Sequence, residues 1–132
     1  MPSDPDDNIA VVTRLYELFG AKDITGILAM IDPDVHVSQT PQLPWGGEYD
    51  GHDGITEFFV NLVGAISSTV EHETMFAAGD RVVQLGRTRG TVNATGTPFD
   101  VREVHILTLA DGRITRFEAY IDTPAMLEAL ET

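Results

Sequence analysis

At 132 residues the chain has the length of one domain, and with no cysteine it relies on its own apolar core rather than on disulfides or a thiolate metal site. Its composition, 42% apolar and 22% charged, is that of a globular protein, and no apolar run approaches the length of a bilayer span. A formal charge of −13 makes nucleic acid a poor partner, and none is expected, because polyanion binding needs clustered Lys and Arg.

Residues 1–7 are acidic and contain proline; they read as neither a signal peptide nor a basic arm and are expected to be disordered. A cytoplasmic location with no membrane contact is the corresponding expectation. Ile9, Val12, Leu15, Tyr16 and Phe19 recur at spacings of three and four and predict a first amphipathic helix, capped by Asp6 or Asp7 and ending near Gly20. A short second helix follows, capped by Asp23, with Ile24, Ile27, Leu28 and Ile31 as its apolar stripe and Pro33 as its stop. Residues 35–39 alternate as a strand.

Residues 40–54 are rich in Pro and Gly and read as a loop carrying the only tryptophan, Trp45. A third helix is predicted over 55–66, with Ile55, Phe58, Phe59, Leu62 and Val63 on one face. Four strand-like runs follow near 69–78, 81–92, 98–109 and 113–122, separated by turn signals of which Asp111-Gly112 is the strongest. Met126, Leu127 and Leu130 form a closing helical turn. Helices first and an antiparallel meander last predict an α+β domain with helices on one face of a curved sheet.

Charge is uneven along this order. Residues 1–66 hold 11 acids and 2 bases, whereas residues 67–132 hold 10 acids and 6 bases, all arginines on predicted strands. Solvated faces or cross-strand ion pairs are the simple reading, and an anion-binding sheet face is the alternative.

Four stretches carry a family resemblance. They are Leu15–Phe19 with Lys22-Asp23-Ile24 and 32–35; 44–55 ending in Phe58-Phe59; 79–87; and Asp111-Gly112-Arg113-Ile114 with Phe117, Tyr120 and Asp122-Thr123. In this order they resemble SnoaL-like proteins of the NTF2-like superfamily over nearly the whole chain. The resemblance implies one domain spanning 1–132: a cone in which a strongly curved, mostly antiparallel sheet wraps three N-terminal helices around one deep pocket. It further implies a small apolar ligand, a homodimer paired through the outer sheet faces, and, as characterised relatives, polyketide cyclases, ketosteroid isomerases and epoxide hydrolases. The strand arginines would then meet acids across the dimer interface.

The catalytic groups of those relatives do not transfer as a set. Gln39 occupies the position of the isomerases' base, Leu15 that of their tyrosine better than Tyr16 does, and His105 that of their late-strand acid. The hydrolases' Arg-x-Asp reads Arg87-Thr88-Arg89, and Ala119 stands where their further acid would be.

Strand parity supplies its own candidates. Glu103 and His105 are two apart, so they share a face, roughly 7 Å apart along the strand. Val101, Leu107 and Leu109 make that face otherwise apolar, and by the resemblance it looks into the pocket. A carboxylate there would hold one imidazole tautomer and raise the basicity of the other nitrogen; a satisfied structural pair, or one facing a dimer partner, is the alternative. His105 and Glu103 are therefore the catalytic candidates, with Gln39 as a polar anchor. Trp45, Phe117 and Ile121 are the expected apolar walls beside Ala119, and Tyr16 either reaches the pocket or fills the core. His36 should face away from it. His52 beside Asp53 and His72 between two glutamates lack zinc-site spacing, so no metal and no cofactor is expected.

The expected function is proton transfer on an alicyclic or polyketide-type compound, as an isomerase, cyclase or hydrolase. A non-catalytic ligand carrier or dimerising accessory domain is the alternative.

Overall fold

The first helix, α1 (Pro5–Gly20), turns Val12, Leu15 and Leu18 into the interior and keeps Asp6 and Asp7 in its first turn, where the helix dipole favours negative charge. The structure, a computed structural model, describes residues 5–131. Of the stretch expected to be disordered, residues 1–4 therefore lie outside the described residues, and 5–7 belong to α1.

Helix α2 (Ile24–Ala29) is capped as expected: the Asp23 carboxylate accepts from the Gly26 backbone N–H at 3.0 Å. It ends before Pro33. The chain is already in β1 (Ile31–Gln39) at Ile31, and Pro33 falls where the pairing shifts register between Ile31 and His36, a place that tolerates a missing N–H.

The Pro/Gly segment is shorter than expected. It contains β2 (Gly47–Asp50), paired antiparallel to β1, and α3 (Gly51–Ala65) begins four residues before Ile55. Glycine disfavours helix, yet Gly54 is needed inside this one: a Cβ there would lie 3.1 Å from the Tyr49 backbone. The meander follows as β3 (Ile66–Ala78), β4 (Arg81–Val92), β5 (Pro98–Ala110) and β6 (Arg113–Ile121), and α4 (Thr123–Glu131) closes the described chain. Asp111 and Gly112 both have positive φ, 52° and 77°, as a two-residue hairpin turn requires.

The six strands form one mixed, unclosed sheet in the order β2-β1-β6-β5-β4-β3; every pairing is antiparallel except β1 with β6. Register shifts at His72/Thr74 and Thr108/Leu109 bend it. Gly86 and Gly90 let β3 approach β4 closely: a side chain at either would run into the Glu71 or Ser67 carbonyl. The concave face presents Val82, Val101, Leu107, Leu109 and Ile114 to Val12, Leu15, Ile55, Phe58 and Met126, all buried.

On the convex face three arginines pair within the chain. Arg87 meets Asp100 at 2.6 Å, Arg89 lies between Glu71 and Asp100, and Arg102 faces Glu73. His36 points away from the interior, against Asp50 and Glu48, and the Asp50 hydrogen bond above all raises its pKa. Among the described residues no helix is long and apolar enough to cross a membrane, and no three His, Asp or Glu side chains are grouped to hold a metal.

Candidate functional site

Pairing on both sides of β5 sets the surroundings of its two polar residues. His105 lies opposite Gln84 on β4 and Ala119 on β6; Glu103 lies opposite Gly86 and Ile121. Gly86 leaves the space that Glu103 occupies, since a Cβ there would be 3.0 Å from Oε1. Gln84 Nε2 donates to Glu103 Oε1 at 2.7 Å, and Glu103 Oε2 lies 3.1 Å from His105 Nε2. That second contact is not aligned as a hydrogen bond, which leaves Oε2 buried without a partner. On the other side of the ring, His105 Nδ1 is 2.6 Å from the Tyr16 hydroxyl.

The line therefore runs Gln84–Glu103–His105–Tyr16, with its far end on α1. Its charge state departs from the expected carboxylate beside a more basic imidazole. Burial lowers His105 to about 3, helped by the His72 charge, so the ring is neutral. Burial pushes Glu103 up to about 8, with Glu73 adding to the rise and the Gln84 hydrogen bond opposing it. Burial also holds the Tyr16 hydroxyl well above its ordinary range. Near pH 7 the whole line is predominantly neutral. Because Oε1 accepts from Gln84, the carboxyl proton belongs on Oε2, beside His105.

The space inside the cone has an inner cavity and an outer groove that share part of their lining. The inner cavity is only ≈ 80 Å³ and is bordered by His105, Tyr16, Gln39, Trp45, Ala119 and Phe117, with Ile121 also in its wall. Glu103 is not in that wall; it lies behind His105 with its side chain wholly buried. Tyr16, expected either to reach the pocket or to fill the core, borders the space, and so does Leu15. Trp45 is 1% exposed, and its Nε1–H donates to Gln39 Oε1 at 3.0 Å. An indole only donates, so this bond fixes the amide and leaves the Gln39 NH2 group as its uncommitted end. Gln39 directly follows Ser38, which pairs with Glu118, so Ala119 keeps a gap between the Gln39 amide and the His105 ring.

Tyr16, Phe19, Phe59, Leu62 and Val70 also border the outer space, a groove of ≈ 830 Å³ at the mouth of the cone. Gln84, Thr88 and Ser68 belong to the site beyond the expected residues, and His72 joins it with no metal-holding group around it among the described residues. Alternation in 81–92 places Gln84 and Thr88 on the concave face. His72 borders the groove, its ring edge against Tyr16 at 4.5 Å between centroids, and nothing in its local sequence announces this.

This six-stranded cone over a small interior space defines an NTF2-like fold, and within that class the chain belongs to the SnoaL-like domain family, whose model matches residues 12–117. It is 32% identical to TerC, co-crystallized with polyporic acid, with a TM-score of 0.87 over 96% of this chain and 99% of that one. It is 28% identical to an NTF2-like protein of unknown function from Burkholderia pseudomallei, with a TM-score of 0.88 over 96% and 98% of the two chains. An uncharacterized protein of Mycobacterium tuberculosis is 24% identical over 127 residues, 94% of this chain and 95% of that protein.

Proposed function

We propose that this chain binds a small, largely apolar compound at the mouth of the cone and moves a proton to an oxygen of that compound inside the cavity. The observation that carries the reading is the polar line ending on Tyr16 and His105 in an otherwise apolar wall. With Glu103 protonated, its Oε2–H faces His105 Nε2, the His105 Nδ1–H faces the Tyr16 oxygen, and the Tyr16 O–H points into the cavity. Transfer then balances: the ligand oxygen takes the Tyr16 proton, His105 Nδ1 restores it, Glu103 restores His105 Nε2, and Glu103 is left as the carboxylate. The Glu103–His105 step requires the ring to turn into line with Oε2. Gln39 anchors a second polar group through its NH2, and Trp45, Phe117 and Ile121 form the walls. The reaction class is isomerisation, cyclisation or hydration without a cofactor, in the cytoplasm.

One observation favours a carrier instead. No Asp or Glu borders the cavity among the described residues, so no ionised base faces a ligand. Polyporic acid, found with TerC, is the first compound to titrate. Turnover of a bound compound by wild type, lost in Tyr16→Phe and His105→Ala while binding persists, supports catalysis; binding with no turnover by wild type supports the carrier.

The chain also pairs with a second copy through its convex face. Val83, Leu85, Val104 and Ile106 are only half-buried there, and Phe76 and Tyr120 are exposed. Because Arg87, Arg89 and Arg102 are already paired within the chain, apolar contact would contribute most to this dimer, and salt should weaken it little. A monomer by light scattering at micromolar concentration would refute the pairing.

A further inference from the structure

The inner cavity, at ≈ 80 Å³, is smaller than the cavity of about 150 Å³ that holds a benzene ring. The mouth groove, at ≈ 830 Å³, is within the usual range of about 300–1,000 Å³ for small-molecule sites. The body of any ligand that reaches Tyr16 must therefore lie in the groove, and the groove sets what it is.

Two features of the groove are unusual for this chain. Asp and Glu make up 21 of 132 residues, yet none borders the groove among the described residues. Its rim is apolar, with Ile24, Val60 and Val63 all exposed, and is interrupted by Lys22, the chain's only lysine. The other polar groups there are committed or uncharged. Arg89 is held by Glu71 and Asp100. Burial lowers the pKa of His72. Asp23, next to Lys22 in the chain, spends its carboxylate on the α2 cap. Lys22 has no ion pair among the described residues.

The backbone supplies a second, independent observation. Lys22 has φ 57°, a conformation at the end of α1 that favours glycine and that few other residues adopt. A lysine held there against backbone preference, at the rim of an acid-free groove, points to a role for its ammonium group.

We propose that Lys22 is the recognition residue for the anionic group of an amphipathic organic anion, an aromatic or alicyclic body bearing one carboxylate or enolate, whose apolar part fills the mouth groove. The proposal deepens the ligand-site reading above and rests on it. Such an anion is drawn toward the one cation bordering the groove that has no ion pair among the described residues, while the apolar rim takes up its hydrophobic body.

The test uses two fluorescent probes with one ring system, 9-anthracenecarboxylate and 9-anthracenemethanol, titrated into the full chain. Wild type should bind the carboxylate about tenfold more tightly than the alcohol. Lys22→Gln and Lys22→Gly should erase that preference, Lys22→Glu should reverse it, and the alcohol should bind all variants alike. Lys22→Gly should also raise Tm, because glycine adopts this φ without strain, so lost affinity cannot be blamed on unfolding. The preference should shrink between about 20 mM and about 500 mM salt. Equal binding of the two probes by wild type, or a preference that survives Lys22→Gln, overturns the assignment and leaves the ligand site standing. Binding of neither probe overturns both.

Discussion

The Tyr16 hydroxyl lies 2.6 Å from His105 Nδ1, joining the first helix to the fifth strand across 89 positions of sequence. Among the described residues it is the one hydrogen bond by which α1 joins the polar line at the cavity wall. Tyr16→Phe keeps the ring and its edge contact with His72 but strips His105 of its partner. Losing a buried hydrogen bond costs about 1–3 kcal/mol when the remaining group stays unsatisfied. A drop in Tm of several degrees is therefore expected, with an intact fold by circular dichroism. An unchanged Tm would mean that water already satisfies His105.

Stability should vary with pH in a way that separates Glu103 from His105. His105 is lowered to about 3 from 6.5, so the unfolded chain binds its proton more readily, and stability rises as pH rises through that window. Glu103 is raised to about 8 from 4.5, so the folded chain keeps a proton that the unfolded chain loses, and stability falls as pH rises through that window. Between 4.5 and 6.5 the two slopes oppose each other. A plateau is expected there, with a decline from 6.5 to about 8. Glu103→Gln removes the carboxyl titration and should make that decline clearly shallower in urea melts taken across this range, leaving the contribution of His36, which Asp50 raises in the same direction. A decline that persists undiminished in the variant would place its source elsewhere.

Parity alone was enough to put Glu103 and His105 on one face, because strand side chains alternate whatever the tertiary setting. Depth was not legible. Glu103 is hidden because Gly86 leaves room for it and Gln84 holds its carboxyl, and neither fact is local to β5. Tyr16 was ambiguous for a related reason: Leu15, Tyr16 and Phe19 all border the interior space, so a narrow helical stripe cannot say which one reaches a polar partner. The start of α3 was missed because Gly51 and Gly54 argue for a loop, while Gly54 is kept in the helix by its closeness to Tyr49. Nothing local marks Lys22 as a site residue, since its meaning depends on a groove formed by distant elements.

Ala119 faces His105 across the β5–β6 pairing and lies in the cavity wall. Ala119→Leu adds three carbons to a space of ≈ 80 Å³. Overpacking costs about 1–3 kcal/mol where the neighbours cannot yield, whereas a fill that matches the void costs less. In either case the inner cavity closes. Ethanol, small enough to present a hydroxyl to Tyr16 within this space, should lose measurable binding by NMR titration, while 9-anthracenemethanol in the groove should weaken far less. Equal loss of both would show that the two spaces act as one.

Gln39 and Trp45 make the last separable pair. Trp45 is almost fully buried, and its indole N–H has Gln39 Oε1 as its acceptor at 3.0 Å. Gln39→Leu keeps the approximate volume but leaves that N–H without a partner in an apolar wall, at a cost of about 1–3 kcal/mol. Trp45→Phe removes the donor as well as part of the packing. If the hydrogen bond is the main role of Gln39, the double variant should be destabilised by clearly less than the sum of the two single variants, because Gln39→Leu costs little once the indole N–H is gone. Urea melts of the four proteins measure this directly. Strict additivity would mean that the amide serves a ligand rather than Trp45, and would move Gln39 from the scaffold of the cavity to its contents.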